Sequence, residues 1–440
     1  MEQTIPYITE YDPVFTSDGS LDPLGLYPIA DRLATKLVPG VRERMQHPRF
    51  LTAMAVGSVI CSDFDVEDIA SDGVSEPWMV FEWHVVQAFV KTFYTGRTAI
   101  SGVPGSEKCT TAYLKGLPLN NARYLKVARV FGFHGVYRTL ADELNIIDRN
   151  YQLGEIGDAL VKAWEKEQKL MGFYSMYEGL GRDFRNKIYQ AISDGLKEGK
   201  VSRGWGWNYF NEIGNRLAYQ TGGKKELDII YDALVDHESP FRAEVINFLQ
   251  TSEGSNAWLS NKSEKDFHNL LFIGASNELK THLSAIMHYE SFSRLLENAF
   301  ESCLYAMSQN GNATVGQLAT LEPVQIATQN IIMAFEKASQ FLEPTGESLH
   351  FYENFAPLVD TTNPKDWIHL LFQFHKNNQR RKPPAGKRPW VEKSSGENYL
   401  LYSKFQRKKE PIISDEYVSF YRTNALYSFL RDLKKIQHAE

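Results

Sequence analysis

Cysteine is scarce in this chain of 440 residues: Cys61, Cys109 and Cys303 lie far apart and form no CxxC pair. That spacing excludes a disulfide scaffold and a zinc ribbon, and it fits a reducing compartment. Long apolar runs are also missing. The longest, LTAMAVGSVIC (51–61), is about half of what a membrane span requires. The opening MEQTIPYITEYDP has neither a basic n-region nor an apolar h-region, so it does not read as a signal peptide. The expectation is a soluble, cytoplasmic chain without membrane contact.

Signatures of catalysis are equally sparse. GVPGSEKCTT (102–111) has Glu107 where a phosphate loop needs the glycine before its lysine. TGGKKE offers Gly223-Lys224, but Lys225 stands where Ser or Thr should hold magnesium, and position 218 is Ala. There is no GxSxG nucleophile elbow and no HExxH pair. His282 and His288 are six apart, about 600° around a helix, so they face different sides and do not share a metal. His268 would meet one of them only if the fold brings it there, and lone histidines are more often core or surface residues; His84, between Trp83 and Val85, reads as a packed histidine. No catalytic residue, metal or cofactor is expected.

What the chain does have is apolar and aromatic material, 43% and 13% of the residues, enough for sizeable cores in two or three domains. Its charge is uneven. Lys376 to Lys409 carries 11 Lys or Arg against two Glu, a local balance of +9 that leaves −15 for the rest of a chain whose net charge is −6. An acidic body with one basic segment points to a polyanion or to an acidic partner.

Helical periodicity is the main pattern. An extended arm rich in turns (1–25) precedes an N-terminal helical domain (26–118), with helices at LYPIADRLATKLV, at about 49–61 and at 77–94. A winged-helix-like module (119–171) and a second helical domain (172–375) follow. The latter has a long helix from about 277 to 309 and two more near 314–343 and 347–357. A basic C-terminal segment with a closing helix (376–440) ends the chain, and QRRKPPAGKRPW (379–390) reads as a linker. The best strand candidates are 146–153 and 398–406. The predicted class is mostly α, multi-helical, with a small winged-helix-like element and few short strands.

Within 119–171, NARYLKVARVFGF reads as one helix with Leu125, Ala128, Val130 and Phe131 toward a core. Gly132 and Gly135 allow a reversal, and VYRTLADELNI makes a second helix with Val136, Leu140 and Leu144 inward. Asp148-Arg149-Asn150 turns between two β-prone runs, and LGEIGDALVKAWEKEQ returns to helix. That is a winged-helix order. A DNA reading puts the second helix in a major groove, with Lys126, Arg129, His134, Arg138 and Arg149 available for phosphates and base edges. Asp142 and Glu143 on that helix repel phosphate and favour a module that contacts protein or is purely structural.

The basic segment alternates cations, including Lys387, Arg388, Arg407, Lys408 and Lys409, with Trp390, Tyr399, Tyr402 and Phe405. Cations neutralise phosphates and aromatics stack on bases, so such a stretch would bind nucleic acid without choosing sequence. The alternatives are a solvated loop or one docked on an acidic partner. PGVRERMQHPR supplies Arg42, Arg44 and Arg49 either for an anion site or for the start of a surface helix. RGWGWNYF (203–210) is either a stacking platform or a plug between helices.

LDPLGLYPIADRLATKLVPGVRERMQHPRFLTAMAVG (21–57), with Leu24-Gly25, Asp31, Pro39-Gly40 and Arg49-Phe50 in order, resembles the N-terminal signature of a family of uncharacterised bacterial proteins. Here Pro48-Arg49 stands where that family has Thr-Arg. GVYRTLADELNIID followed by QLGEIGDAL is similar to the family's winged-helix-like middle. Such proteins tend to be encoded in bacterial defence islands beside helicases and nucleases. The resemblance implies a subunit of an antiphage complex, without catalytic residues to carry over, and the winged-helix-like middle and basic C-terminal segment make a non-enzymatic, DNA-engaging subunit the first expectation. Two alternatives stay open: a protein-only scaffold or adaptor that docks a helicase or nuclease, and an enzyme whose carboxylates converge from distant positions.

Overall fold

Where helical periodicity is strongest in the sequence, the chain is helical. The computed structural model describes residues 22–65, 67–94, 100–236, 239–383, 386–394 and 396–436. The arm expected over 1–25 lies outside them up to residue 21. The structure is 64% helical, and the described residues form 19 α-helices and three short strands, a mostly α, multi-helical fold. Among the described residues no helix is long and apolar enough to cross a membrane.

Two compact units are present. The first contains Thr281–Ser419 and the described residues before Arg32; the second contains Arg32–Lys280 and the described residues from Phe420 onward. At the centre of the second unit are the helices Phe50–Cys61 and Pro77–Phe93, each buried on nearly every side. Helices with apolar side chains on nearly every face have nowhere to go but a core. Phe50 stacks on Phe133 at 5.0 Å and meets Phe89 edge-on at 6.1 Å, tying three helices together. Trp205 and Trp207 pack on Phe210, whose helix Tyr209–Leu217 lies against Pro77–Phe93, so RGWGWNYF is an interhelical plug.

In the first unit, Phe292, Phe335, Phe351 and Phe355 interlock between the long helix Asn277–Ser308 and the helices Glu322–Leu342 and Ser348–Phe355. A small antiparallel sheet joins strands β1 (Asn312–Thr314), β2 (Val391–Lys393) and β3 (Asn398–Leu401) in the order β1-β3-β2. Asn312 pairs with Leu400 and Val391 with Leu401. Period-two alternation then sends Tyr399 and Leu401 inward and Leu400 outward.

Several expected boundaries move. The helix Pro364–Arg381, unexpected from the sequence, takes up the start of the expected linker, and Pro389 and Trp390 at its other end are buried. The closing helix is only Thr423–Asp432, because Arg422 has a left-handed backbone (φ +72°) that ends the preceding segment. NARYLKVARVFGF is not one helix: a 3-10 turn Asn121–Arg123 and a four-residue helix Ala128–Phe131 replace it, and Val130 and Phe131 face solvent. The expected wing over 146–153 is a single isolated bridge, Ile147 with Leu153.

That bridge lies directly on the helix Glu155–Glu167. A Cβ placed on Gly157 would stand 2.0 Å from the Ile146 carbonyl oxygen, and backbone cannot move aside as a side chain does. Gly157→Ala is therefore expected to destabilise the second unit by about 2–4 kcal/mol through overpacking and backbone displacement. Urea unfolding checks it. A midpoint equal to that of the unchanged chain would show that the helix can slide away freely.

Candidate nucleic-acid interface

Two groups of cations were candidates for phosphate contact, and the structure surrounds them differently. In the second unit, the helix Phe133–Glu143 begins at Gly132 with its first turn inside the core: Phe133 to Tyr137 are all buried. Glu82, itself 1% exposed, is the reason. Its Oε1 accepts the Tyr124 hydroxyl at 2.7 Å, and its Oε2 accepts both the His134 backbone N–H at 3.0 Å and His134 Nδ1 at 2.8 Å. A buried carboxylate needs such partners, and it claims the helix N-terminus for itself. His134 thus holds a core carboxylate and does not reach a phosphate.

The arginines around this helix are engaged too. Arg129 pairs with Glu76 at 2.8 Å and Arg149 with Asp142 at 3.1 Å. Arg138 donates to the Arg149 carbonyl at 2.7 Å and lies over the Tyr151 ring, which stacks on Trp78 at 4.7 Å. Glu143 is bound by the buried Arg242. So the two carboxylates that argued against DNA are both neutralised, and they neutralise cations in return. The solvent-facing strip of this helix is Arg138, Thr139, Asp142 and Glu143, with Lys126 exposed ahead of it. The end that a groove-reading helix would present is in the core.

The three arginines of PGVRERMQHPR part company. Arg42 donates to Thr139 Oγ1 at 3.2 Å, Arg44 lies over the Phe131 ring, and Arg49 is 1% exposed against Glu226. Arg49 neither starts a surface helix nor serves an anion from solvent; it is a core residue. His84 is packed as expected: burial pulls its pKa down to about 4, and Nδ1 meets the Val80 carbonyl at 2.8 Å. Among the described residues no three His, Cys, Asp or Glu side chains cluster as metal ligands would.

In the first unit the basic segment is a built structure. His375 fixes its start. Nδ1 donates to the Pro23 carbonyl at 2.9 Å, and Nε2 accepts the Trp390 backbone N–H at 2.9 Å, so the ring needs to be neutral. Burial agrees, drawing its pKa down to about 4. Trp390 stacks on Phe405 at 4.8 Å, and Arg407 lies over the Trp390 ring while gripping Glu301 through two bonds of 2.6 and 2.7 Å. Arg388 covers the Tyr402 ring at 3.7 Å, and the Tyr402 hydroxyl donates to Glu392. Trp390 and Tyr399 are each only 6% exposed, which corrects their expected role as stacking platforms for bases: they are the core of the hairpin.

With these rings turned inward, the charges stay outside. Arg380, Arg381, Arg388, Lys393, Lys404, Lys408 and Lys409 are all exposed, while Lys387 is half-buried and Arg407 is held by Glu301. Only Glu392 and Glu397 oppose them between residues 380 and 409. Arg380, Arg381, Lys393 and Lys404 were not singled out in sequence, although the charge count of the segment contains them; what was missing was the fold that puts them on its surface. Comparison with protein-family models, with curated proteins and with solved structures finds no match to this chain.

Proposed function

We propose that this chain is a non-enzymatic, DNA-engaging subunit that binds phosphate backbone through the surface of residues 380–409, without sequence preference. The observation that carries the reading is the set of seven exposed cations on the end of the helix Pro364–Arg381, on β2 and on the segments flanking the hairpin, in a stretch (380–409) whose sequence has two carboxylates. A rigid array of Lys and Arg releases condensed counterions on meeting a polyanion, and that release supplies affinity irrespective of base sequence. Trp390 and Tyr399, the rings best suited to stack on bases, are buried, so affinity comes from charge. The setting, a bacterial antiphage complex with a helicase or nuclease partner, is supported by the resemblance of 21–57 and 135–160 only.

Fluorescence anisotropy with labelled duplex and single-stranded DNA over a salt series tests it. Lys393, Lys404, Lys408 and Lys409 are exposed, so changing all four to Ala leaves the hairpin core intact. Each phosphate left without its lysine should reduce the slope of log K against log salt by about 0.9 on duplex, and four should cut it by roughly 3–4. Affinity at about 50 mM salt should fall more than tenfold. Lys126→Ala is expected to change little. Absence of binding at low salt, or a slope unmoved by the four substitutions, would replace this reading with the protein-only adaptor.

A further inference from the structure

The stretch whose apolar residues belong in a core by sequence presents them to water. On the short helix Ala128–Phe131, Ala128 is buried, while Val130, Phe131 and the N-cap residue Val127 are 41, 47 and 45% exposed. Val130 and Phe131 are consecutive at the end of this turn, and their backbone N–H groups both bond the Val127 carbonyl, so three exposed apolar side chains sit on one short segment. Its surroundings are cationic. Arg44 lies over the Phe131 ring at 5.1 Å, and Lys126 and Arg129 flank the patch in sequence. From Lys108 to Ala141 the chain contains six Lys or Arg and no carboxylate at all. Glu76 pairs with Arg129 there, and the buried Glu82 lies against Gly132 beside Phe131.

We propose that this patch is a docking surface for an acidic segment of a partner protein that carries apolar side chains between its carboxylates. Charge complementarity selects the sign of the partner, and the valine methyls select its apolar content. Exposed aliphatic side chains gain about 25 cal/mol per Å² on being covered by carbon, which a phosphate backbone does not offer. Nor is the ring poised for a base: the Arg44 guanidinium already lies over it. A carboxylate arriving there would meet Arg44 and Lys126 while its neighbouring Leu or Phe covered Val127 and Val130. The surface belongs to the second unit, and the cations assigned to DNA belong to the first.

The test pans a phage-displayed library of random peptides on the full chain, then measures the enriched peptides by anisotropy. Enrichment of Asp/Glu peptides containing Phe, Leu or Ile is expected. Their affinity should fall about tenfold or more, ~1.4 kcal/mol, in the double substitution Val130→Ser, Phe131→Ser. Charge reversal at Lys126→Glu with Arg44→Glu should weaken it similarly. Thermal melts confirm that both variants fold. Substituting Lys393, Lys404, Lys408 and Lys409 should leave peptide binding unchanged, so failure here and failure of the DNA assignment are separable. Enrichment without acidic character, no enrichment, or equal binding by the variants overturns the proposal. So does a thymidine oligonucleotide that binds the chain and is lost on Val130→Ser, Phe131→Ser, which would give the patch to nucleic acid.

Discussion

Arg49→Leu alone is expected to cost the second unit about 3–5 kcal/mol, and Glu226→Leu alone about the same. Arg49 Nε and Nη2 donate to the two Glu226 oxygens at 2.6 and 3.1 Å. Nη2 also reaches the Arg216 carbonyl at 2.7 Å, and Nη1 donates to Thr221 Oγ1 at 2.6 Å and to the Ala218 carbonyl. Thr52 adds a bond of 2.7 Å to Glu226. Both side chains are essentially without solvent, at 1% and 0% exposure, so removal of either leaves an uncompensated charge in the core. Loss of both is different in kind. Arg49→Met with Glu226→Leu removes the charges together and replaces them with apolar volume, and it should cost clearly less than the two single changes added. Urea midpoints at unchanged m-value measure all three. Full additivity, or a single variant within about 1 kcal/mol of the unchanged chain, would mean that water or another cation reaches the site.

The second large effect is one of pH. Glu264 receives the backbone N–H groups of Tyr421 and Thr423 at 3.1 and 3.2 Å and the Thr423 hydroxyl at 2.6 Å, clasping the start of the last helix. Burial pushes its pKa up to about 7 against these bonds, with Glu43 adding repulsion. Burial likewise lifts Glu43 to about 7 although Arg422 pulls it down. His268 Nε2 is 3.5 Å from Glu264 on its own helix. A carboxyl raised in the folded chain keeps a proton that the unfolded chain has released above about 4.5. The resulting stabilisation is complete below that pH and fades as pH rises through about 7. His84 acts in the opposite direction, favouring the fold above 6.5 and losing that contribution as pH falls through about 4.

Glu264→Gln separates the two. It keeps the acceptor oxygen and removes the titration, so its melting temperature should gain on that of the unchanged chain between about pH 5 and 8. Even a tenfold preference for the acid form is ~1.4 kcal/mol, and 1 kcal/mol moves the midpoint of a unit of this size by roughly 2–4 °C. A difference between the two chains that stays flat across that range would mean that Glu264 is ionised in the fold at every pH.

Particular residues show what the sequence determined by itself. FLTAMAVGSVIC and PWMVFEWHVVQAFVKTF are predominantly apolar around the helix, and so much apolar side chain at that length has no stable place except a largely buried helix. The regular spacing of Leu279, Leu283, Ile286, Leu296 and Phe300 similarly committed 277–308 to one long helix. Charge density over 376–409 was a matter of counting. Such properties are local, and local pattern is enough to give the helical class and the basic segment.

Tertiary structure decided the rest, because burial depends on what arrives from elsewhere in the chain. Arg49 reads as a surface cation until Glu226, 177 residues away, offsets the cost of its burial. His134 reads as a phosphate ligand until Glu82 takes its N–H and its ring. Trp390 and Tyr399 have the composition of a base-stacking platform, and the hairpin register together with His375 and Phe405 folds them inward. Val130 and Phe131 have the composition of core, yet the turn that carries them buries Ala128 and leaves the two of them about half exposed. Side-chain chemistry sets what a residue can do; which side of it meets solvent is set by partners that no local window of sequence contains.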